Sequence, residues 1–262
     1  MSAIGRVTLE PAADGVVWLT LDRNETRNAL DWGMLDAFHS ALDEAEASPQ
    51  TRVVLVRSAL DRVFVAGGDI ALMRDLQLAD GARFVYAGQR LMRRLEESRL
   101  VFVAVVGGYA LGGGLELTLA CDLVVASAEA VFGFPETRLG LFPGWGGTQR
   151  IVRAISPQRA RELVYTGRRL DAAEALAYGF VNRVVAAEEL GEAALQLASE
   201  VTKSSPAAVS QSKRALVHGS RASLDQGLVI EAEAWLANLS SPNRIEGLSA
   251  FLEKREPRFT AD

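Results

Sequence analysis

Two glycine-rich segments constrain the fold of this chain more than any other feature. FVAGGDI at residues 64–70 and GGYALGGG at residues 107–114 each follow an apolar run typical of a buried strand and precede a helical pattern. The second segment leads into a short predicted helix over residues 113–120, and another apolar run follows at 123–126. Alternation of strands and helices of this kind predicts an α/β fold with a sheet layer.

The same two segments are candidates for a binding site. Glycine lets the backbone approach a ligand closely, and the start of a helix offers free N–H donors at the positive end of its dipole. Two N–H groups from two such turns could face one oxygen, which is the geometry that stabilises a thioester carbonyl as it becomes an enolate. The alternative is that both segments are ordinary structural turns.

Two glutamates are candidate catalytic residues: one follows the second glycine-rich segment directly, and the other lies in a proline-stiffened loop. Glu116 lies in GGGLELTLACDLVVA, where nearly every neighbour is apolar, and a buried carboxylate is costly unless it is paired, hydrated or used. Glu136 lies in a loop that Pro135 and Pro143 stiffen, and such loops commonly carry function. If the two carboxylates converge, one can deprotonate water while the other handles a carbon-bound proton. The alternatives are a solvated glutamate on a short helix and an exposed loop carboxylate.

Cap residues predict the helices of the rest of the chain. In the first half, Asp31 and Asp80 are predicted to cap one helix each. In the last third, caps are predicted at Ser156-Pro157, at Asp171 with Glu174, at Ser205-Pro206, at Ser223 and at Ser241-Pro242. We therefore expect a core over residues 1–200 and a helical region over residues 201–262. Its large apolar helix faces would pack on the core, on a neighbouring subunit, or on both.

Several classes of function are poorly supported by the sequence. The chain lacks a G-x-x-x-x-G-K-[ST] phosphate loop and a G-x-S-x-G nucleophile elbow, and GGYALGGG lacks the G-x-G-x-x-G spacing of a dinucleotide site. The net charge of −5 disfavours a general nucleic-acid binder. One cysteine and two widely separated histidines do not make a metal-ligand pattern. The N-terminal sequence shows no targeting signal, and no segment of the sequence approaches the ~20 apolar residues needed to span a bilayer, so a cytoplasmic location is expected.

The ordered motifs resemble those of the crotonase (enoyl-CoA hydratase/isomerase) superfamily. The resemblance runs nearly end to end and includes RNETRNAL at 23–30, FVAGGDI at 64–70, the segments 105–126 and 132–150, and EGLSAFLEKREPRF at 246–259. It implies a spiral of ββα units with a helical C-terminal region that drives trimerisation, often into hexamers. It further implies hydration of trans-2-enoyl-CoA to 3-hydroxyacyl-CoA, with no metal or redox cofactor, because coenzyme A is part of the substrate.

By position, the resemblance implies a role for each matching residue. Gly68 and Gly113 would supply the oxyanion-hole amides, and Glu116 and Glu136 would be catalytic. The remaining residues fall into two groups. The residues expected to contact coenzyme A are Arg27, Ala29, Ala66, Gly67, Asp69, Ile70, Phe251 and Lys254. The residues expected to line the acyl pocket are Leu72, Met73, Tyr109, Pro135, Leu141 and Trp145.

The resemblance leaves competing functions open. Double-bond isomerisation of an enoyl-CoA, or another acyl-CoA reaction on the same fold, is the first alternative, although two retained glutamates favour hydration. Acyl-CoA binding or RNA binding without chemistry is the second, and the acidic composition argues against RNA. Asn24, where the family often has proline, and Trp145 in GWGG depart from the common pattern and leave the acyl-chain preference open.

Overall fold

The computed structural model describes residues 6–260, which form two β-sheets surrounded by helices. The strands, in chain order, are β1 Arg6–Ala13, β2 Val16–Asp22, β3 Val53–Ser58, β4 Val63–Val65, β5 Val101–Val106, β6 Tyr109–Leu111, β7 Leu123–Ser127, β8 Val131–Gly133, β9 Arg169–Asp171 and β10 Arg183–Val185. The larger sheet has the order β1-β2-β3-β5-β7-β10 and the smaller has the order β4-β6-β8-β9.

Eleven α-helices lie within the described residues. They are α1 Trp32–Ala47, α2 Ile70–Asp75, α3 Leu78–Glu97, α4 Gly113–Ala120, α5 Gly147–Ala154, α6 Pro157–Thr166, α7 Ala172–Tyr178, α8 Leu190–Thr202, α9 Pro206–Gly219, α10 Leu224–Leu239 and α11 Pro242–Glu253. Short 3₁₀ turns occur at Asn24–Thr26, Pro135–Leu139 and Ala187–Glu189.

The central part of the chain repeats one unit of a long strand, a short strand and a helix. The long strands β3, β5 and β7 pair in parallel in the larger sheet, and the short strands β4, β6 and β8 pair in parallel in the smaller one. Each unit therefore adds one strand to each sheet, which generates the predicted spiral of ββα units. The repeat also places the segments that follow β4, β6 and β8 side by side, at the carboxyl ends of neighbouring strands.

Most of the predicted caps are confirmed. Asp31 accepts a hydrogen bond from the Met34 N–H at 2.9 Å, and Asp171 and Glu174 form a capping box. The serines at 156, 205, 223 and 241 cap α6, α9, α10 and α11. The prediction for Asp80 is wrong, because α3 begins at Leu78 and Asp80 lies inside its first turn. A carboxylate in that turn still interacts favourably with the helix dipole, which is why the pattern was ambiguous.

The last two helices expose their apolar faces, whereas the helix before them is attached to the core. Helix α9 is tied to the core by the buried Lys213, whose Nζ donates to the Leu95 and Leu100 carbonyls and to Asp122, each within 2.8 Å. The large apolar side chains of α10 and α11 are mostly exposed, including Leu224, Leu228, Trp235, Ile245, Leu248 and Leu252. The core of this chain therefore covers little of these faces, and a neighbouring subunit stays the other predicted packing partner.

Helix α8 belongs to the core instead, since Ala194, Leu197 and Ala198 pack against the larger sheet. The boundary near residue 200 stays a prediction, as does everything that concerns residues 1–5 and 261–262, which lie outside the described part of the chain. None of the described helices is both long and apolar enough to cross a membrane.

Candidate active site

Three consecutive ββα units each contribute one functional group to the same place. Gly68 follows β4, Gly113 follows β6, and Glu136 follows β8. The pairing of these short strands brings the three turns together, and a hydrogen bond from the Gly112 N–H to the Gly133 carbonyl (2.9 Å) joins the second and third turns. The site is therefore a direct product of the repeat, with equivalent positions of successive units carrying different chemistry.

The amides of Gly68 and Gly113 are close together. A Cβ atom at position 113 would lie 3.3 Å from the Gly68 nitrogen, and one at position 67 would lie 3.8 Å from the Gly113 nitrogen. Neither amide has a hydrogen-bond partner within the described chain. Gly67 and Gly112 have φ values of 126° and 51°, which side-chain-bearing residues rarely adopt. The two glycine turns thus place two unpartnered N–H donors close together at the lining of one cavity.

Glu116 is buried on α4, with 2% of its surface exposed. Its Oε1 accepts hydrogen bonds from the backbone N–H groups of Trp145 and Gly147, both at 2.7 Å. Glu116 lines the same cavity as Gly113, and the hydrogen-bond donors to its carboxylate come from the GWGG segment about thirty residues later. Desolvation raises the pKa of Glu116 to about 7, while the two amides partly oppose this shift.

Glu136 faces Glu116 from the 3₁₀ turn Pro135–Leu139. Its Oε1 lies 2.9 Å from where a Cβ of Gly112 would be, and its buried Oε2 has no hydrogen-bond partner among the described residues. Burial, and then the nearby charge of Glu116, raise its pKa to about 7. An unpartnered carboxyl oxygen beside a second carboxylate is suited to hold and transfer a proton.

One cavity of about 160 Å³ joins these groups. Gly68, Gly113, Glu116 and Glu136 all line it. Its inner end consists of buried side chains, and its mouth carries the exposed Ile70, Leu139 and Phe142. The expectation that both carboxylates reach a common space beside the paired amides is met by this geometry, while the catalytic roles themselves remain predictions.

The residues predicted to contact coenzyme A lie in three places. Ala66, Gly67 and Ile70 line the cavity. Arg27, Ala29 and Asp69 lie on the adjoining segments: the Arg27 carbonyl accepts from the Ala66 N–H at 3.1 Å, and the Asp69 side chain caps α2 and faces Arg23 at 3.5 Å. Phe251 and Lys254 lie at the end of α11, exposed, and do not line the cavity of this chain.

The residues predicted to line the acyl pocket also divide. Met73, Pro135, Leu141 and Trp145 line the cavity. Leu72 packs instead against the hydrophobic core, and Tyr109 is partly exposed with the Arg169 guanidinium 5.4 Å from its ring centre. For these two, assignment to the acyl pocket stays a prediction that the cavity does not support.

Sequence reasoning missed several residues of this site. The further lining residues are Phe84 and Val85 on α3, Gly112 of the second glycine turn, and Leu139, Phe142 and Gly144 of the segment that follows β8. The glycine content of GWGG was the one available signal that its backbone approaches another group. Across residues 6–260, no three His, Cys, Asp or Glu side chains are grouped so that they could hold a metal ion.

Comparison with known proteins gives similarity over almost the whole chain. A sequence model of the enoyl-CoA hydratase/isomerase family matches residues 12–262. Enoyl-CoA hydratase domain-containing protein 2, mitochondrial, of Bos taurus is 40% identical and covers 95% of this chain and 85% of that protein. The crotonyl-CoA hydratase of Syntrophomonas wolfei is 36% identical, covering 92% of this chain and 93% of that protein. A crystal structure of an enoyl-CoA hydratase from Bacillus anthracis aligns with a TM-score of 0.93 at 36% identity, covering 98% of this chain and 99% of that one.

Proposed function

Because the chain belongs to the enoyl-CoA hydratase/isomerase family, we propose that it is an enoyl-CoA hydratase, which adds water reversibly and in the syn sense to a trans-2-enoyl-CoA. The observation that carries this proposal is the meeting of the buried carboxylate of Glu116 and the half-buried carboxylate of Glu136 in one cavity with two free backbone amides. Addition of water needs a base, an acid and an acceptor for negative charge, and this cavity holds groups suited to each.

The amides of Gly68 and Gly113 would bind the thioester oxygen. When hydroxide adds at the β-carbon, the electron pair of the double bond moves towards the carbonyl and forms an enolate. Fixed N–H donors stabilise that charge without reorganising, and the N-terminus of α4 adds its positive dipole end because Gly113 is its first residue.

The two glutamates would divide the proton transfers. Two backbone amides donate to the carboxylate of Glu116 and favour its ionised form, whereas the carboxylate of Glu136 has only its own backbone N–H as an amide donor and its Oε2 has no partner among the described residues. We therefore assign the carboxylate to Glu116, which takes a proton from water as its oxygen bonds to the β-carbon, and the carboxylic acid to Glu136, which gives its proton to the α-carbon. Syn addition requires both groups to act on the same face of the double bond, and their place in the lining of one cavity fits that requirement. Transfer of a proton from Glu116 to Glu136 resets the pair.

The direct test is hydration of crotonyl-CoA by the purified protein without added metal. We expect the absorbance of the conjugated thioester to fall as 3-hydroxybutanoyl-CoA forms, and addition of a chelator to leave the rate unchanged. The same preparation should be offered 3-enoyl-CoA, since an isomerase moves the double bond into conjugation and raises that absorbance. Isomerisation of 3-enoyl-CoA without hydration of any 2-enoyl-CoA would favour the alternative reaction.

The exposed apolar faces of α10 and α11 support a further proposal, that the chain assembles as a homotrimer or as a hexamer of two trimers. Apolar patches of this extent on a single chain mark interaction surfaces. Sedimentation equilibrium should give three or six times the mass of 28.2 kDa, and a monomer at micromolar concentration would contradict it. Such assembly would also give Phe251 and Lys254 a neighbouring site to reach.

A further inference from the structure

The indole of Trp145 fills the space between α3 and the two glycine turns. A Cβ atom at Gly88 would lie 2.3 Å from Cδ1, Cδ2 and Cε2 of this indole, so its five-membered ring rests directly on the bare backbone of α3. At the other edge, Cζ3 lies 2.9 Å from the position of a Cβ on Gly113, and Cη2 lies 3.8 Å from that of Gly68. The ring therefore spans from α3 to the proposed oxyanion hole.

Trp145 is held in this position from several sides. The Phe84 ring packs edge-on against it with centroids 5.1 Å apart, and Trp32 packs in the same way on Phe84. The backbone N–H of Trp145 donates to Glu116, and the backbone carbonyl of Trp145 accepts from the Arg150 side chain at 3.0 Å. Only 5% of its surface is exposed. Both the backbone and the ring are thus fixed, so the indole cannot swing aside without disturbing the packing around it.

The indole lies at the closed end of the cavity. The residues at the mouth are largely exposed, whereas Trp145, Phe84 and Glu116 at the inner end are buried. Coenzyme A is far larger than this cavity and must remain on the mouth side, so the tip of the acyl group points inwards. The indole therefore closes the end of the cavity towards which the acyl tip points, and the space in front of it limits the length of the acyl group.

We propose that Trp145, seated on Gly88, is the specificity-determining residue that ends the acyl pocket and restricts this enzyme to four-carbon and similarly short enoyl-CoA substrates. The proposal deepens the hydratase function and rests on it for the reaction, but it concerns the shape of the pocket. A longer acyl chain would have to displace the indole from Gly88, Phe84 and the two glycine turns. Overpacking of this kind is destabilising, so longer acyl chains bind less well.

The test compares wild type, Trp145→Phe and Trp145→Ala on trans-2-enoyl-CoA substrates of four to twelve carbons. The decisive quantity is the ratio of kcat/KM for the ten-carbon to the four-carbon substrate, because any general loss from a disturbed Glu116 cancels in it. In wild type we expect this ratio to be about 0.1 or less. It should rise by about 10-fold in Trp145→Ala, and by less in Trp145→Phe, which keeps a ring over Gly88.

Trp18→Phe is the matched control. Trp18 is also buried, but it packs against the other face of the larger sheet beneath Arg57, away from the cavity. Its replacement should leave the ratio unchanged. If wild type hydrates the ten-carbon substrate as well as the four-carbon one, or if Trp145→Ala leaves the ratio at the wild-type value, the proposal is overturned.

A binding measurement separates this proposal from the hydratase function and needs no turnover. Calorimetric titration with butanoyl-CoA and decanoyl-CoA should show preference for the shorter ligand in wild type and loss of that preference in Trp145→Ala. Chain-length discrimination in binding without hydration would support the pocket and contradict the reaction. Hydration of enoyl-CoA combined with equal binding of butanoyl-CoA and decanoyl-CoA in both proteins would support the reaction and contradict the pocket proposal.

Discussion

Replacement of Glu136 by glutamine is expected to lower kcat for crotonyl-CoA by about 10²–10⁴-fold, the range for lost acid–base catalysis. Glutamine has nearly the same shape, but its amide cannot give a proton to the α-carbon. KM should change much less, because the oxyanion amides of Gly68 and Gly113 belong to other turns. The measurement is steady-state hydration with the variant and wild type under the same conditions.

Glu129→Gln is a suitable control, since Glu129 is an exposed glutamate in the loop between β7 and β8. It should retain wild-type turnover. Wild-type turnover in Glu136→Gln would remove Glu136 from the mechanism and transfer the acid role elsewhere.

The pH dependence of kcat supplies a second readout for Glu136. Because the pKa values of Glu116 and Glu136 are both raised to about 7 and the groups interact, we expect wild type to show a bell-shaped profile centred near neutrality. Activity falls at low pH as the base is protonated, and at high pH as the acid loses its proton. If Glu136 is the acid, Glu136→Gln should lose the alkaline limb and keep the acidic one. Loss of the acidic limb instead would reverse the two assigned roles.

Local features of the sequence predicted the parts of the site that depend on short segments. A run of apolar residues, a glycine turn and a helix start identify the two glycine-rich segments as candidates, because glycine and free amides act locally. The choice of Gly68 and Gly113 within them came from the resemblance to the crotonase superfamily. Glu116 is conspicuous because it is a charge among apolar neighbours. The caps of most helices were predicted for the same reason, since a cap and its partner are only a few residues apart.

Contacts between distant segments could not be predicted in this way. Strands β4, β6 and β8 have three residues each, too few to show a periodic pattern, yet their pairing brings the three turns together. The amide partners of Glu116 come from Trp145 and Gly147, and nothing near Glu116 indicates them. The fit of the Trp145 indole on Gly88 likewise depends on how α3 packs, which a glycine inside a helical pattern does not reveal.

Replacement of Glu116 by glutamine should also lower kcat by on the order of 10²–10⁴-fold, while leaving the protein folded. The Oε1 of glutamine can still accept the N–H groups of Trp145 and Gly147, so the cradle around position 116 keeps its hydrogen bonds. The amide cannot take a proton from water. Turnover near the wild-type value would show that the proposed base lies elsewhere.

The same variant makes a distinct prediction for stability. An unfolded glutamate ionises near its ordinary pKa of 4.5, whereas burial raises the pKa of Glu116 to about 7 in the folded protein. Between these values the unfolded chain releases a proton that the folded protein retains, so the free energy of unfolding falls as pH rises. For Glu116 the total fall is on the order of 3 kcal/mol, and it is complete once the pH exceeds the folded pKa. Glu136 contributes a change of the same sign.

Glu116→Gln should therefore be more stable than wild type at pH 8 and differ little from it near pH 4, where the carboxyl is protonated in both states. Urea unfolding at several pH values and one protein concentration measures this difference, and the fixed concentration matters if the chain assembles. Glu129→Gln should follow wild type throughout, since an exposed carboxyl has no burial to relieve. If the free energy of unfolding of Glu116→Gln and of wild type changed with pH in the same way, position 116 would be hydrated in the folded protein. A hydrated carboxylate would lack the raised proton affinity that the proposed reaction takes from its burial.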